Sequence, residues 1–307
     1  MPAILSDTKP ILIAGPTASG KSTLALELAK RTGGAIINAD ALQVYEGWQI
    51  LSARPDAEDL AKCPHYMYGH VAMKQSYSVG QWLRDITAQL HQCAEKGERA
   101  IIVGGTGLYF TALTKGLADI PDVPKEIRAK ADQMCLDEGR GIFADLLKTD
   151  DPKTYARIDV LNPVRTQRAW EVLQATGTGL SEWQDTTHPA ILPETDAHLI
   201  SLVSEPDWIN KRVDTRFDIM IDLGALDECQ NALNTWWDER LPSCKAIGAK
   251  ELISYLQGET DLTDAIEAAK VQTRRYAKRQ RTWFRGRMKN WQNLHYSNGK
   301  YDTTDIL

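Results

Sequence analysis

The octapeptide Gly15-Pro-Thr-Ala-Ser-Gly20-Lys21-Ser22 constrains this chain more than any other stretch of it. It fits the pattern GxxxxGK[ST] at every fixed position, a pattern that works only where a strand ends and a helix begins. Both flanks are present. Ile11-Leu-Ile-Ala14 is an apolar run too short for a helix and suited to a strand buried on both faces. Ser22 to Thr32 carries Leu24, Ala25, Leu28 and Ala29 along one helical stripe and stops at Gly33-Gly34. In such a loop the glycines turn backbone N–H groups inward and the helix N-terminus adds partial positive charge, making a nest for phosphate oxygens. The expected diphosphate-binding set is Gly15, Pro16, Thr17, Ala18, Ser19, Gly20, Lys21 and Ser22. Lys21 is expected to neutralise the terminal phosphate, and the Ser22 hydroxyl to reach a Mg²⁺ ion bridging two phosphates.

The alternation of strand and helix continues. Ala35-Ile-Ile-Asn38 and Ala100-Ile-Ile-Val103 are strand-like, and Ser78 to Lys96 between them is helical. That helix opens with the capping box Ser78-x-x-Gln81, presents Val79, Trp82, Leu83, Ile86 and Leu90 at helical spacing, and ends at Gly97. The pattern is that of an α/β fold with a doubly wound parallel sheet. Its second strand runs into Asn38-Ala-Asp40 and its third into Gly104-Gly-Thr-Gly-Leu-Tyr109, both at the carboxyl edge where α/β proteins bind ligands. Asp40 is either a working carboxylate or a turn cap, and Thr106 either a site residue or part of a glycine-rich turn. No apolar run ends in the acidic pair that most ATP- or GTP-binding loops place on a neighbouring strand.

Near Leu117 the pattern changes. Pro121 and Pro124 break the chain, and Lys125 to about Gly177 is helical, with one helix starting at Asn162-Pro163 and ending at Thr176-Gly177. His198 to Val203 is strand-like again, and Asp207 to about Gln292 is helical with breaks at Leu241-Pro242 and near Gly258. The expected organisation is a P-loop NTPase-like α/β core of residues 1–117 and 196–307, interrupted by an all-helical insertion domain of residues 118–195.

The net charge of −5 on 307 residues argues against an RNA-binding surface spread over the whole molecule. A local basic stretch stands out instead. Lys270, Arg274, Arg275, Lys278, Arg279, Arg281, Arg285, Arg287 and Lys289 follow one another with no acidic residue between, interleaved with Tyr276, Trp283 and Phe284. It is either an RNA footprint or a solvated helix face. Five dispersed cysteines without a CxxC pair suit reduced thiols in a cytoplasmic protein. Cys63, His65 and His70 match no zinc spacing and suit ordinary packing. No run of eighteen apolar residues suggests a membrane helix.

Several segments together resemble one family, the tRNA dimethylallyltransferases. They are GPTASGKS, Asp40-Ala-Leu-Gln-Val-Tyr45, Pro64-His65, Tyr77-Ser78, GGTGLY, Arg157-Ile-Asp159, Asn162-Pro-Val-Arg-Thr-Gln-Arg168-Ala-x-Glu171-Val and Thr273-Arg-Arg-Tyr-Ala-Lys-Arg-Gln-Arg-Thr-Trp-Phe-Arg285. The resemblance implies that the loop cradles the diphosphate of dimethylallyl diphosphate, and that the acceptor is the exocyclic amine of the adenosine 3′ of a tRNA anticodon. It implies a catalytic set of Asp40 as general base, Thr106, Lys21 and Arg216. It also implies contacts to the tRNA anticodon stem-loop from Asp40, Ala41, Leu42, Gln43 and Thr106, from Arg128, Val164, Arg165, Thr166, Gln167 and Arg168 in the insert, and from Arg275, Lys278, Arg279 and Arg281. The acceptor adenine would be flipped out of the loop to be reached. Mg²⁺ is the expected cofactor, and a monomer the expected state.

The chain departs from the family pattern in three places. Ala41 stands where a serine is usual, Lys245-Ala-Ile-Gly248-Ala249 replaces Arg-x-x-Gly-Tyr, and Val203-Ser-Glu205-Pro206 lacks a basic residue often found there. Three rivals share part of the pattern. They are a P-loop kinase, an adenylate isopentenyltransferase acting on free nucleotides, and an RNA-binding protein with a vestigial phosphate loop.

Overall fold

The computed structural model describes residues 3–297, 300 and 301. The chain divides into two compact units, Met1–Thr114 with Ile191–Leu307, and Lys115–Ala190. The second unit begins and ends a few residues before the span that composition suggested. The reason is local: the Leu192 amide donates to the Leu113 carbonyl at 3.1 Å, and both side chains already lie in the core of the first unit.

In chain order the first unit opens with α1 (Ala3–Ser6), β1 (Ile11–Ala14), α2 (Lys21–Thr32), β2 (Gly34–Asn38), α3 (Ala57–Lys62) and β3 (His65–Tyr66). It continues with α4 (Val79–Lys96), β4 (Arg99–Gly104) and α5 (Gly107–Lys115). The second unit holds α6 (Lys125–Asp137), α7 (Ile142–Asp150), α8 (Pro152–Arg157), α9 (Pro163–Thr176) and α10 (Leu180–Asp185). The chain then returns through β5 (His198–Val203), α11 (Pro206–Asp222), α12 (Ala225–Thr235), α13 (Ala249–Leu256), α14 (Leu262–Arg287), β6 (Gln292–Ser297) and β7 (Lys300–Tyr301).

The strands form one sheet in the order β3-β2-β4-β1-β5-β6-β7, with every neighbouring pair parallel except β6 and β7. Alternation along each strand feeds two cores. Leu12, Ala14, Ile37 and Ile102 face one side, where Trp82 and Ile86 of α4 and Phe110 of α5 cover them. Ile11, Ile13, Ile36, Ile101 and Val103 face the other, against Leu24 and Leu28 of α2. Each such fully buried Leu, Ile or Phe side chain contributes about 1.5–3 kcal/mol. A third cluster, around Trp48, Phe217, Leu252 and Ala269, joins α11 to α14 beside the sheet. The second unit has its own core of Ala131, Phe143, Leu147, Ala169 and Trp170.

The expected signals at helix ends are visible. Ser78 and Gln81 form the reciprocal capping box of α4, and Gly97 ends that helix at φ 68°. Asn162 caps α9, its side chain accepting from the Val164 and Arg165 amides at 3.2 and 3.3 Å. One expectation is corrected. Helix does not continue to Gln292: α14 stops at Arg287, and Gln292–Ser297 is a strand lying parallel to β5. The segment Gln292-Asn-Leu-His-Tyr-Ser buries Leu294 while Gln292, Asn293 and His295 are exposed, too few apolar positions for a strand signature. His198–Val203 is therefore not the last strand.

Candidate active site

The order β2-β4-β1 brings three carboxyl-end loops side by side, and backbone hydrogen bonds lace them. The Ala39 amide donates to the Val103 carbonyl (2.8 Å), the Thr106 amide to the Ala39 carbonyl (3.2 Å), and the Gly15 amide to the Gly104 carbonyl (3.4 Å). The phosphate-type loop between β1 and α2 turns left-handed at Ala18 (φ 61°) and at Gly20 (φ 85°), which occupies the N-cap of α2. The loop's amides are not all turned toward a ligand, as the motif alone suggested. Thr17 donates to the Gln280 side chain at 2.8 Å and Ser19 to the Pro16 carbonyl at 3.2 Å. The first-turn amides of α2 have no acceptor within the helix, so an anion there meets Lys21, Ser22 and Thr23 amides together with the helix dipole.

Gln280 of α14 is a hub that spacing did not single out. Buried, it accepts from Thr17 and donates from Nε2 to the Gly105 carbonyl at 3.0 Å, bolting two loops together. A Cβ on Gly105 would come within 2.2 Å of that Nε2, and one on Gly107 within 2.1 Å of the Trp283 ring. Gly105 and Gly107 are thus required by the close approach of α14, and Gly104 by the Ala39 backbone, whose carbonyl oxygen would stand 2.0 Å from a Cβ there.

Among the spaces that open at this edge, two meet at Asp40. The larger is a cleft of about 560 Å³ whose lining includes Lys21, Ser22, Asp40, Gln43, Arg212 and Arg216. The smaller is a chamber of about 70 Å³ lined mainly by Leu42, Leu51, Val213, Phe217, Met220 and Ile247. Thr17, Ala18, Asp40, Ser52 and Arg216 border both. Lys21 keeps part of its surface open to the cleft yet is crowded by protein atoms. Burial, reinforced by Arg216 and opposed by Asp40, brings its pKa down to about 8. Burial likewise disfavours the charge on Arg216, while Asp40 supports it. Asp40 is held by a local frame. Its amide donates to Asn38 Oδ1 (2.9 Å), and its Oδ1 accepts from the Leu42 amide (3.0 Å). The Asn38 side chain in turn donates to the Asp40 and Met67 carbonyls. The other carboxylate oxygen, Oδ2, lies 3.2 Å from where a Cβ on Gly105 would stand. Thr106 stands on the adjacent loop and accepts from the Ala41 amide through Oγ1 at 2.9 Å. The arrangement joins cations for an anionic leaving group, an apolar chamber and a carboxylate at their meeting point.

The structure sorts the remaining expected residues. Leu42 lines the chamber and Gln43 the cleft, the latter anchored by Nε2 to the Ser52 and Ala53 carbonyls, while Ala41 packs against the core. On α14, Arg275, Lys278 and Arg279 are exposed, and Arg279 lies over the Tyr276 ring at 5.7 Å. Arg281 is half-buried with an unpartnered Nη1, beside a cleft of about 730 Å³ shared with Lys278, Arg285 and Lys289. The basic stretch is less uniform than its sequence. Lys270 pairs with Asp218 at 2.7 Å and Arg274 with Asp214, both acids on α11. In the second unit Arg128, Val164 and Arg165 are exposed, whereas Thr166, expected to face RNA, turns inward, and Gln167 is half-buried and engaged by acids of its own unit. Thr166 is buried and donates to the Pro163 carbonyl, and Gln167 donates to Asp132 and Glu171. Arg168 is half-buried, its charge disfavoured by burial and by Arg128 and supported by Glu171. Arg212, one turn before Arg216 on the same face of α11, also lines the cleft; its i−4 spacing was the available signal.

These features define a P-loop-type α/β transferase, with the nucleotide-style loop facing an apolar chamber. The chain belongs to the IPP transferase family, whose description matches residues 43–287, and it is a prenyl-transferring enzyme. It is 53% identical to a tRNA dimethylallyltransferase of Cereibacter sphaeroides over 96% of this chain and 91% of that one. It is 54% identical to one of Dinoroseobacter shibae over 94% and 95%. Among solved structures it is similar to the full-length tRNA isopentenylpyrophosphate transferase of Bacillus halodurans (33% identity, TM-score 0.66, 94% and 90% covered). It is also similar to a eukaryotic dimethylallyltransferase acting on tRNA (26% identity, TM-score 0.79, 94% and 74% covered).

Proposed function

We propose that the chain transfers the dimethylallyl group of dimethylallyl diphosphate to the N6 amine of adenosine 37 of tRNA, releasing diphosphate. The observation that carries this reading is the meeting of the cationic cleft and the apolar chamber at Asp40 and Arg216. The diphosphate lies in the cleft against Lys21, Arg216 and the first turn of α2. The chamber holds several water-sized bodies, which suits a five-carbon chain. In the reaction the allylic C1–O bond breaks, the positive charge left on the allyl is shared by resonance, and N6 bonds to C1. Asp40 takes the N6 proton as the bond forms, and the departing electron pair settles on diphosphate oxygens facing Lys21 and Arg216. Most of the acceleration then comes from placement and fixed charge.

Ser22 is exposed at the cleft, and the described residues hold no group of three or more His, Cys, Asp or Glu set to cage a metal. That donor set fits Mg²⁺, which keeps several waters and is shared with substrate phosphates. Bound through Ser22, it would supply further charge neutralisation at the diphosphate. A flipped-out adenine leaves an unpaired loop that the exposed cations of α14 suit. Five free cysteines support a reducing, cytoplasmic setting, and no helix among the described residues is long and apolar enough to cross a membrane.

The test mixes protein, Mg²⁺, labelled dimethylallyl diphosphate and unmodified tRNA. Label is expected on tRNA adenosine. Label on free AMP or ATP instead would favour the adenylate-type enzyme, and ATP consumption with unlabelled tRNA a kinase. Asp40→Asn is expected to cut turnover by about a hundredfold or more with little change in tRNA affinity. Normal turnover with a large loss of binding would remove Asp40 as the base.

A further inference from the structure

Ala18 adopts φ 61°, a left-handed conformation that a residue with a Cβ enters only under constraint. The constraint is visible. Arg212 of α11 donates from Nε to the Ala18 carbonyl at 2.8 Å. Its guanidinium lies over the Trp208 ring at 4.8 Å, and Trp208 packs at a tilt of 32° against Tyr296 of β6, centroids 3.8 Å apart, with Tyr301 of β7 edge-on at 6.4 Å. Tyr301 also reaches the loop itself. Its ring is 3.8 Å from where a Cβ on Gly20 would stand. Its hydroxyl is buried near Ser19 and Ser204 without a well-formed hydrogen bond to either. Ala18 is buried in a small cluster with Ile209, Val213 and Ala277, so its backbone cannot relax outward without opening that packing.

We infer that Arg212 is a positioning residue for the diphosphate loop. It fixes the Ala18 carbonyl and thereby holds the strained turn in which Gly20 caps α2 and the first helical turn opens on the cleft. The aromatic cluster of Trp208, Tyr296 and Tyr301 keeps the guanidinium in place, which gives the polar last strands a use in a site far from them in sequence. The inference rests on the reading of Gly15–Ser22 as a diphosphate cradle. A rival role exists, since Arg212 lines the cleft and its charge could act on the ligand directly. Both roles predict weaker binding when Arg212 is lost. Only the positioning role predicts that the loss shrinks when position 18 no longer resists a positive φ, as with glycine.

The experiment is a double-mutant cycle on the full chain, read as the affinity for inorganic pyrophosphate by calorimetry, with melting temperature followed for each variant. Arg212→Met is expected to weaken binding by about tenfold or more, and by about threefold or less when Ala18→Gly is also present. An equal factor in both backgrounds overturns the inference and assigns Arg212 to the ligand. A wild-type protein that fails to bind pyrophosphate overturns the cradle reading itself. Should Arg212→Met not fold, Trp208→Leu takes its place in the same cycle, with the same rescue expected and the same equality fatal.

Discussion

Lys21 carries the clearest pH consequence of any single residue. Crowding by protein atoms, more than Arg216, lowers its pKa from 10.5 to about 8, and Asp40 limits the fall. An anionic substrate needs the charged form, so affinity is fully present below pH 8 and declines as pH rises through it. For folding the sign is reversed. The unfolded lysine keeps its proton up to about 10.5, so between about 8 and 10.5 the unfolded chain binds more protons and ligand-free stability rises with pH. We expect KM for dimethylallyl diphosphate to climb above pH about 8, and Lys21→Arg, which stays charged, to flatten the climb. An unchanged climb in that variant would place the titration on another group. Lys21 and Asp40 were legible in the sequence because a glycine pattern and a strand end announce them. Gln280 was not, and Arg212 offered only its i−4 spacing from Arg216. Their partners, Thr17 and Ala18, lie far along the chain, and no local spacing encodes a contact between distant segments.

Among elements, α14 does most to join the two halves of the site. Its buried face sends Gln280 and Trp283 against the glycine turn while Arg275, Lys278 and Arg279 point outward. The charges near its start are masked by α11, through Asp218 on Lys270 and Asp214 on Arg274. The salt dependence of tRNA binding should therefore depend on position. Neutralising Arg279 and Arg281 together is expected to reduce the log–log slope by roughly one to two, and neutralising Lys270 and Arg274 to change it less. Equal changes from both pairs would mean that the masking does not survive binding. The elements legible in advance carry one of two signals. β1, β4 and β5 are apolar runs, and α4 and α9 carry caps that state where they begin. β6 escaped because an element near the sheet edge buries one leucine among polar residues, and β3 because two residues carry no period at all.

At the scale of the whole molecule, each unit has a separate apolar core, so the first should fold without the second. Replacing residues 116–189 with a short flexible linker is expected to leave pyrophosphate affinity within about threefold of the intact protein while abolishing prenyl transfer to tRNA. Loss of a cooperative melting transition in that variant would show the units to be one folding body. The Leu113–Leu192 hydrogen bond makes the replacement practical, because the chain departs from the sheet-bearing unit and rejoins it at adjacent residues. An excursion with a single doorway can grow, shrink or be exchanged without disturbing the strand sequence on either side of it. Evolution then has a place among the described residues where length is nearly free, and differences in size between relatives should accumulate there before they reach the strands.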